Sequence, residues 1–182
     1  MTYVEALCPM TTRRQINESL VIGVGNEFRG DDVAGLLVAR RLDDTCPNGV
    51  RILEMGGDCT ASIDLWETAG TVIIVDAAHS GSLPGTVFRF DAREGPIPSG
   101  LLREFSTHAL GVAACIELAR ELNKLPPQLI VYAIEGHDFT AGAQISRDVA
   151  LAAREVGDRI LHELRPARIP GGSALPCTNP HS

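Results

Sequence analysis

The residues of this chain best suited to chemistry are the adjacent pair Asp31-Asp32, the lone Asp76, and two histidines, His79 and His108. Asp31-Asp32 closes a glycine-rich stretch, Gly23-Val24-Gly25-Asn26-Glu27-Phe28-Arg29-Gly30, that runs from an apolar segment into a helical pattern. Carboxylates at a helix N-terminus satisfy free amides and suit the helix dipole, and a single aspartate needs no further explanation. Two in succession at the carboxyl end of a strand, where open α/β sheets place their ligands, point as much to a site as to a cap. Asp31 is assigned the structural role and Asp32 the inward-facing one.

Asp76 ends the apolar run Thr71–Val75. An aspartate there can simply receive loop amides. A third strand lying beside the first, however, brings it to the same sheet edge as Asp32, and two carboxylates in one small site either share a proton or hold a cation. An imidazole from His79, just beyond Asp76, or from His108, at the start of a helical segment, would complete such a site, and spacing alone does not choose between them. His137 reads as a surface or hydrogen-bonded residue, and His162 as part of a solvated helix face. Two aspartates and one imidazole suit a borderline divalent ion such as nickel or zinc, with coordination positions left open.

Other chemistries fit less well. A dinucleotide fingerprint needs a third glycine where this chain has Phe28, and paired carboxylates repel a pyrophosphate. No serine or cysteine stands out with a partnered histidine, so a covalent peptidase is not supported. The five cysteines are widely spaced and form no Cys-x-x-Cys, which argues against a disulfide framework or a zinc knuckle. The formal charge of -7, with scattered basic residues, excludes a nucleic-acid partner. No apolar run reaches signal-peptide length within Met1–Gln15 or bilayer-spanning length later, so no membrane association and a cytoplasmic location are expected.

The elements that must position these residues are legible as an alternation. Leu20–Gly25, Ile52–Leu53 with their flanks, Thr71–Asp76 and Leu129–Ile134 are short, apolar, β-branched runs that read as buried parallel strands. Between them Ala34, Leu37, Val38 and Leu42 recur at helical spacing, as do Val149, Ala153, Val156, Ile160 and Leu164 after a candidate N-cap at Ser146. His108–Asn123 reads as another helix. Only about ten residues join Asp76 to Thr86–Phe90, too few for a helical crossover, so this run is expected as an antiparallel edge strand. The result is an α/β fold with a mostly parallel mixed sheet of about five strands in a single domain over residues 19–165. Residues 1–18 form an N-terminal extension, and the proline- and glycine-rich tail 166–182 reads as disordered.

Taken together, the motifs resemble those of the hydrogenase maturation endopeptidases: Gly25-Asn26 followed by Asp31-Asp32, then Gly56-Gly57, Val75-Asp76-Ala77, Pro84-Gly85, Thr107-His108 with Leu110, and Ile134-Glu135 with Gly142 and Ser146. The resemblance runs from about Leu20 to Leu164. It implies a three-layer α/β/α fold and a metal site of Asp32, Asp76 and His108, which breaks the tie against His79. It also implies an activity, removal of the C-terminal extension of a [NiFe]-hydrogenase large-subunit precursor, with nickel presented by that substrate. The other readings are a non-cleaving nickel or precursor-binding chaperone and a small-molecule metallohydrolase. One departure stands out: the family usually has an aspartate before the paired glycines, where this chain has Met55. Glu54 is a poor substitute, because alternation points it to the opposite sheet face.

Overall fold

The apolar runs form one sheet in the computed structural model, which describes residues 18–56, 58, 60–98, 101 and 111–164. Its strands are β1 (Ser19–Val24), β2 (Val50–Met55), β3 (Thr71–Ala78), β4 (Val87–Asp91) and β5 (Gln128–Glu135), in the order β2-β1-β3-β5-β4. β1, β2, β3 and β5 are parallel, and β4 pairs antiparallel with β5 at the edge. The short β3–β4 connection is the physical reason: it spans a turn, whereas a parallel return needs a crossover.

The helices are α1 (Ala34–Asp43), α2 (Ile63–Trp66), α3 (Val112–Glu121) and α4 (Arg147–Glu163). Strand side chains alternate between two cores. Leu20, Ile22, Val72, Ile74 and Val131 pack against Ile63, Trp66, Val112 and Ile116 on the α2–α3 face. Val21, Ile73, Val75, Ile130 and Ile134 pack against Val38, Leu42, Val149, Val156 and Ile160 on the other. This is the three-layer α/β/α arrangement, and each fully buried aliphatic side chain contributes about 1.5–3 kcal/mol by leaving water. Central strands apolar on both faces are what parallel sheets require.

Several expectations shift in detail. Leu37 is only half-buried, and Leu36 and Ala39 join Ala34, Val38 and Leu42 on the buried side of α1. The short α2, preceded by the 3-10 turn Thr60–Ser62, has no counterpart in the sequence reading. Ser146 does occupy the N-cap position of α4, but its side chain makes no capping hydrogen bond. The extension up to residue 17, the tail from residue 165, and His108 lie outside the described residues. No helix among the described residues is long and apolar enough to cross a membrane.

Candidate active site

Close packing of α1 on the sheet brings the acidic pair over the strand ends. A Cβ at Gly35 would collide with the backbone oxygens of Val24 and Val75, and one at Gly23 with that of Gly35, so helix and strands approach backbone to backbone. Gly23 in β1 and Gly35 in α1 therefore serve helix–sheet contact. Just ahead of α1, the 3-10 turn Gly30–Val33 carries Asp31 and Asp32 above the carboxyl edge of β1 and β3. Gly30 sits at φ +53°, with the Asp138 carbonyl where a Cβ would stand.

Asp31 is fully buried and does not cap its own helix, contrary to the simplest expectation for an aspartate at this position. Its Oδ2 accepts the amides of His137 (2.8 Å) and Asp138 (3.0 Å), and its Oδ1 accepts the amide of Ser146 (2.7 Å). The Asp31 amide in turn donates to the Asp138 carbonyl at 2.8 Å. One carboxylate thus ties the β5–α4 loop and the start of α4 to the turn that holds Asp32, which is the structural role assigned to it. Burial pushes the Asp31 carboxyl upward, but the three amide bonds outweigh it and its pKa ends below the ordinary value of 3.8. An asparagine would turn an NH2 group toward at least one of these donors. Asp31→Asn is expected to lose about 2–4 kcal/mol at neutral pH, measurable by urea denaturation. Because the folded pKa is depressed, this stabilisation is present above about pH 4 and disappears as pH falls through the folded value.

Asp32 and Asp76 are both buried, 6% and 8% exposed. Asp76 belongs to β3 and lies on the α2–α3 side, by the alternation that places Val72 and Ile74 there. Its Oδ1 accepts the Ala77 amide at 2.8 Å. Its pKa stands at about 8: burial raises it, the Ala77 hydrogen bond pulls it down, and the negative charge of Asp32 pushes it up. Asp32 is also raised, by burial, against the attraction of Arg29. Asp76 therefore feels the negative charge of Asp32, and near neutrality its carboxyl keeps its proton. Such a pair can move a proton to and from a reacting group, or exchange its proton for a cation.

The histidines separate. His79 is exposed, and its ring meets Phe139 edge-on at 5.4 Å between centroids. His137 and His162 are exposed as well. Among the described residues no three His, Cys, Asp or Glu side chains converge as a metal cage. Gly111, three positions after His108, is the N-cap of α3. Since α3 ends just before β5 begins, this N-terminus faces the carboxyl edge of the sheet where Asp76 lies.

Met55 and Glu54 part as alternation requires: Met55 packs against the α2–α3 core, whereas Glu54 pairs with Arg40 of α1 at 2.8 Å. The sequence reading left Glu135 without a role. It is 1% exposed at the end of β5, and its carboxylate accepts Ser80 N (3.0 Å), Ser80 Oγ (2.8 Å) and Gly81 N (2.8 Å). The signal available for it was the same as for Asp76, a carboxylate closing a buried apolar strand.

The mixed α/β/α sheet carries two buried aspartates at its carboxyl edge, and comparison with known proteins supplies the family. The family model described as hydrogenase maturation protease matches residues 36–163, beginning just after Asp32. The chain belongs to the hydrogenase maturation protease family and is accordingly a peptide hydrolase. It is 26% identical over 149 residues to the hydrogenase expression/formation protein HupD of Rhodobacter capsulatus, covering 75% of this chain and 70% of that one. The hydrogenase maturating endopeptidase HybD from E. coli shares the fold with a TM-score of 0.69, at 23% identity over 81% of this chain and 91% of that one. The [NiFe] hydrogenase maturation protease HycI from Thermococcus kodakarensis does so at 0.65, with 24% identity over 81% and 92% of the respective chains.

Proposed function

We propose that this protein removes the C-terminal extension of a nickel-loaded [NiFe]-hydrogenase large-subunit precursor in the cytoplasm, using Asp32, Asp76 and His108. The observation that carries the reading is the pair of buried carboxylates at one sheet edge, with Asp76 pushed up to about 8. Two buried aspartates, one of which keeps its proton near neutrality, are set up either for acid–base work on a peptide bond or for engaging a positive ion. Nickel enters as part of the substrate. A precursor-bound nickel with open positions would accept oxygens from Asp32 and Asp76 and the imidazole of His108, so that the ion marks where the peptide is to be cut. The family membership and the likeness to HycI of Thermococcus kodakarensis, a [NiFe] hydrogenase maturation protease, support the choice of substrate.

A mass measurement of the precursor after mixing tests the reading. One loss of mass at the C-terminus is expected, whereas a precursor retained at full mass would make the protein a binding chaperone. Turnover of small esters or peptides without any precursor would make it a small-molecule hydrolase. In the same assay His108→Ala is expected to stop cleavage with native circular dichroism, while His79→Ala and His162→Ala still process. Full activity of the His108 variant would remove it from the site.

A further inference from the structure

Two large apolar side chains stand out from the carboxyl edge: Phe28 is 71% exposed and Leu83 is 81% exposed. Single exposed apolar residues are ordinary on a protein surface, so exposure alone argues nothing. What distinguishes these two is the backbone beneath them. The Phe28 amide donates to Asn26 Oδ1 at 2.9 Å, and its carbonyl accepts the Gly142 amide at 2.8 Å. The loop carrying Gly142 is in turn fastened to buried Asp31 through the amides of His137 and Asp138.

Leu83 is held in a similar way by a second buried carboxylate. Glu135 collects the Ser80 amide and hydroxyl and the Gly81 amide, all at 2.8–3.0 Å. The Leu83 carbonyl accepts the Thr86 amide at 3.0 Å and the Thr86 hydroxyl at 2.6 Å. A surface turn can leave its amides to water. Burying a carboxylate to gather them costs desolvation, and what results is a turn of fixed shape with an apolar tip.

Topology puts the two tips on opposite sides of the acid pair. Phe28 follows β1 and, with Met55 and Gly56 at the end of β2, lines a cavity of about 360 Å³ on that side. The turn bearing Leu83 leaves β3 and passes to β4 at the far edge of the sheet. Asp32 and Asp76 lie between them along the carboxyl edge.

We propose that Phe28 and Leu83 are paired apolar anchors that seat the immature large subunit over Asp32 and Asp76, and that Glu135 is a positioning residue holding the Leu83 turn ready to bind. The proposal rests on the precursor-cleavage reading. Rigidly presented apolar side chains lose little conformational freedom on association, which makes them effective anchors. Two anchors straddling the acid pair suit a folded partner with an apolar recess on each side of the segment to be cut, not a short free peptide.

Steady-state kinetics on nickel-loaded precursor test this. Phe28→Ala and Leu83→Ala are each expected to raise KM about tenfold, with kcat within about twofold of the original. Glu135→Gln turns an NH2 group toward the Ser80 and Gly81 donors and raises KM comparably, but adds little to Leu83→Ala because the two act through one turn. Should Glu135→Gln fail to fold, Ser80→Ala removes one of the same bonds and gives a smaller rise. Leu83→Met retains the original KM. Leu151→Ala, at an exposed leucine of α4 (53%), changes nothing. Unchanged KM in the Phe28 and Leu83 variants, an equal rise in the Leu151 variant, or full additivity of Glu135→Gln with Leu83→Ala overturns the proposal. A wild-type protein that leaves the precursor uncut defeats the cleavage reading instead. Retention of precursor on immobilised protein then judges the anchors, and equal retention by wild type and the Phe28 and Leu83 variants rejects them.

Discussion

Asp76→Asn is expected to lose precursor cleavage by about 10²–10⁴-fold and, at the same time, to raise the melting temperature at pH 7. The opposing effects have one cause. In the folded chain the Asp76 carboxyl keeps its proton up to about pH 8, against an ordinary value of 3.8. Between these values the unfolded chain ionises while the folded chain does not. Folding stability associated with Asp76 is therefore complete below about pH 4, falls as pH rises, and is fully lost once pH passes the folded value near 8. An asparagine carries no such penalty. The gain at pH 7 should be on the order of 2–4 kcal/mol, or several degrees in Tm for a domain of this size, and should vanish near pH 4. Asp32→Asn should lose cleavage to a similar extent. It should also lower the pKa of Asp76, because it removes the neighbouring negative charge. Differential scanning calorimetry across this pH range decides the matter. A pH-independent Tm difference for Asp76→Asn would show that the raised pKa is not the reason, and retained cleavage would remove Asp76 from the site. A buried titratable group kept for function is commonly a stability sacrifice of this kind.

The parts of this molecule that were legible in its sequence are those governed by local pattern. β3 and β5 are continuous β-branched runs because both of their faces are buried, and the short span to Val87 forces β4 to return antiparallel. α4 repeats Val149, Ala153, Val156 and Ile160 over enough turns for its period to show. α2 escaped because Ile63–Trp66 is a single turn, too short to have a period, although Trp66 is fully buried. Asp32 and Asp76 could be placed near each other from strand adjacency alone, and β1 does pair with β3. The partners of Asp31 could not, since a carboxylate at a helix start looks like a local cap, and its actual donors lie more than 100 positions away at His137, Asp138 and Ser146. The partners of Glu135 were hidden for the same reason. They belong to a turn brought over it by the β3–β5 pairing, which no local pattern encodes.

Cleavage is expected to depend on nickel carried by the precursor and not on a metal stored in this protein. Asp32 and Asp76 come from a 3-10 turn and a strand end, an open edge rather than a closed four-ligand cage. With His108 the proposed set would supply three ligands, and a free divalent ion entering it must also displace the proton that Asp76 holds at neutral pH. Its affinity for free ion should accordingly be weak. A nickel already fixed by precursor thiolates adds its own attraction to that of the peptide surface, and the two together supply what neither has alone. The proton competition gives the engagement a sign: binding of nickel-loaded precursor should weaken as pH falls from about 8 toward 6, because Asp76 is increasingly protonated below its folded pKa. Purified protein should therefore contain little stoichiometric metal by elemental analysis. It should leave nickel-free precursor intact and shorten nickel-loaded precursor in a single step. Equal cleavage of precursor verified to be metal-free would end the nickel-reading mechanism while leaving the protease assignment in place. Binding that strengthens on acidification would instead assign the precursor contact to groups other than Asp32 and Asp76.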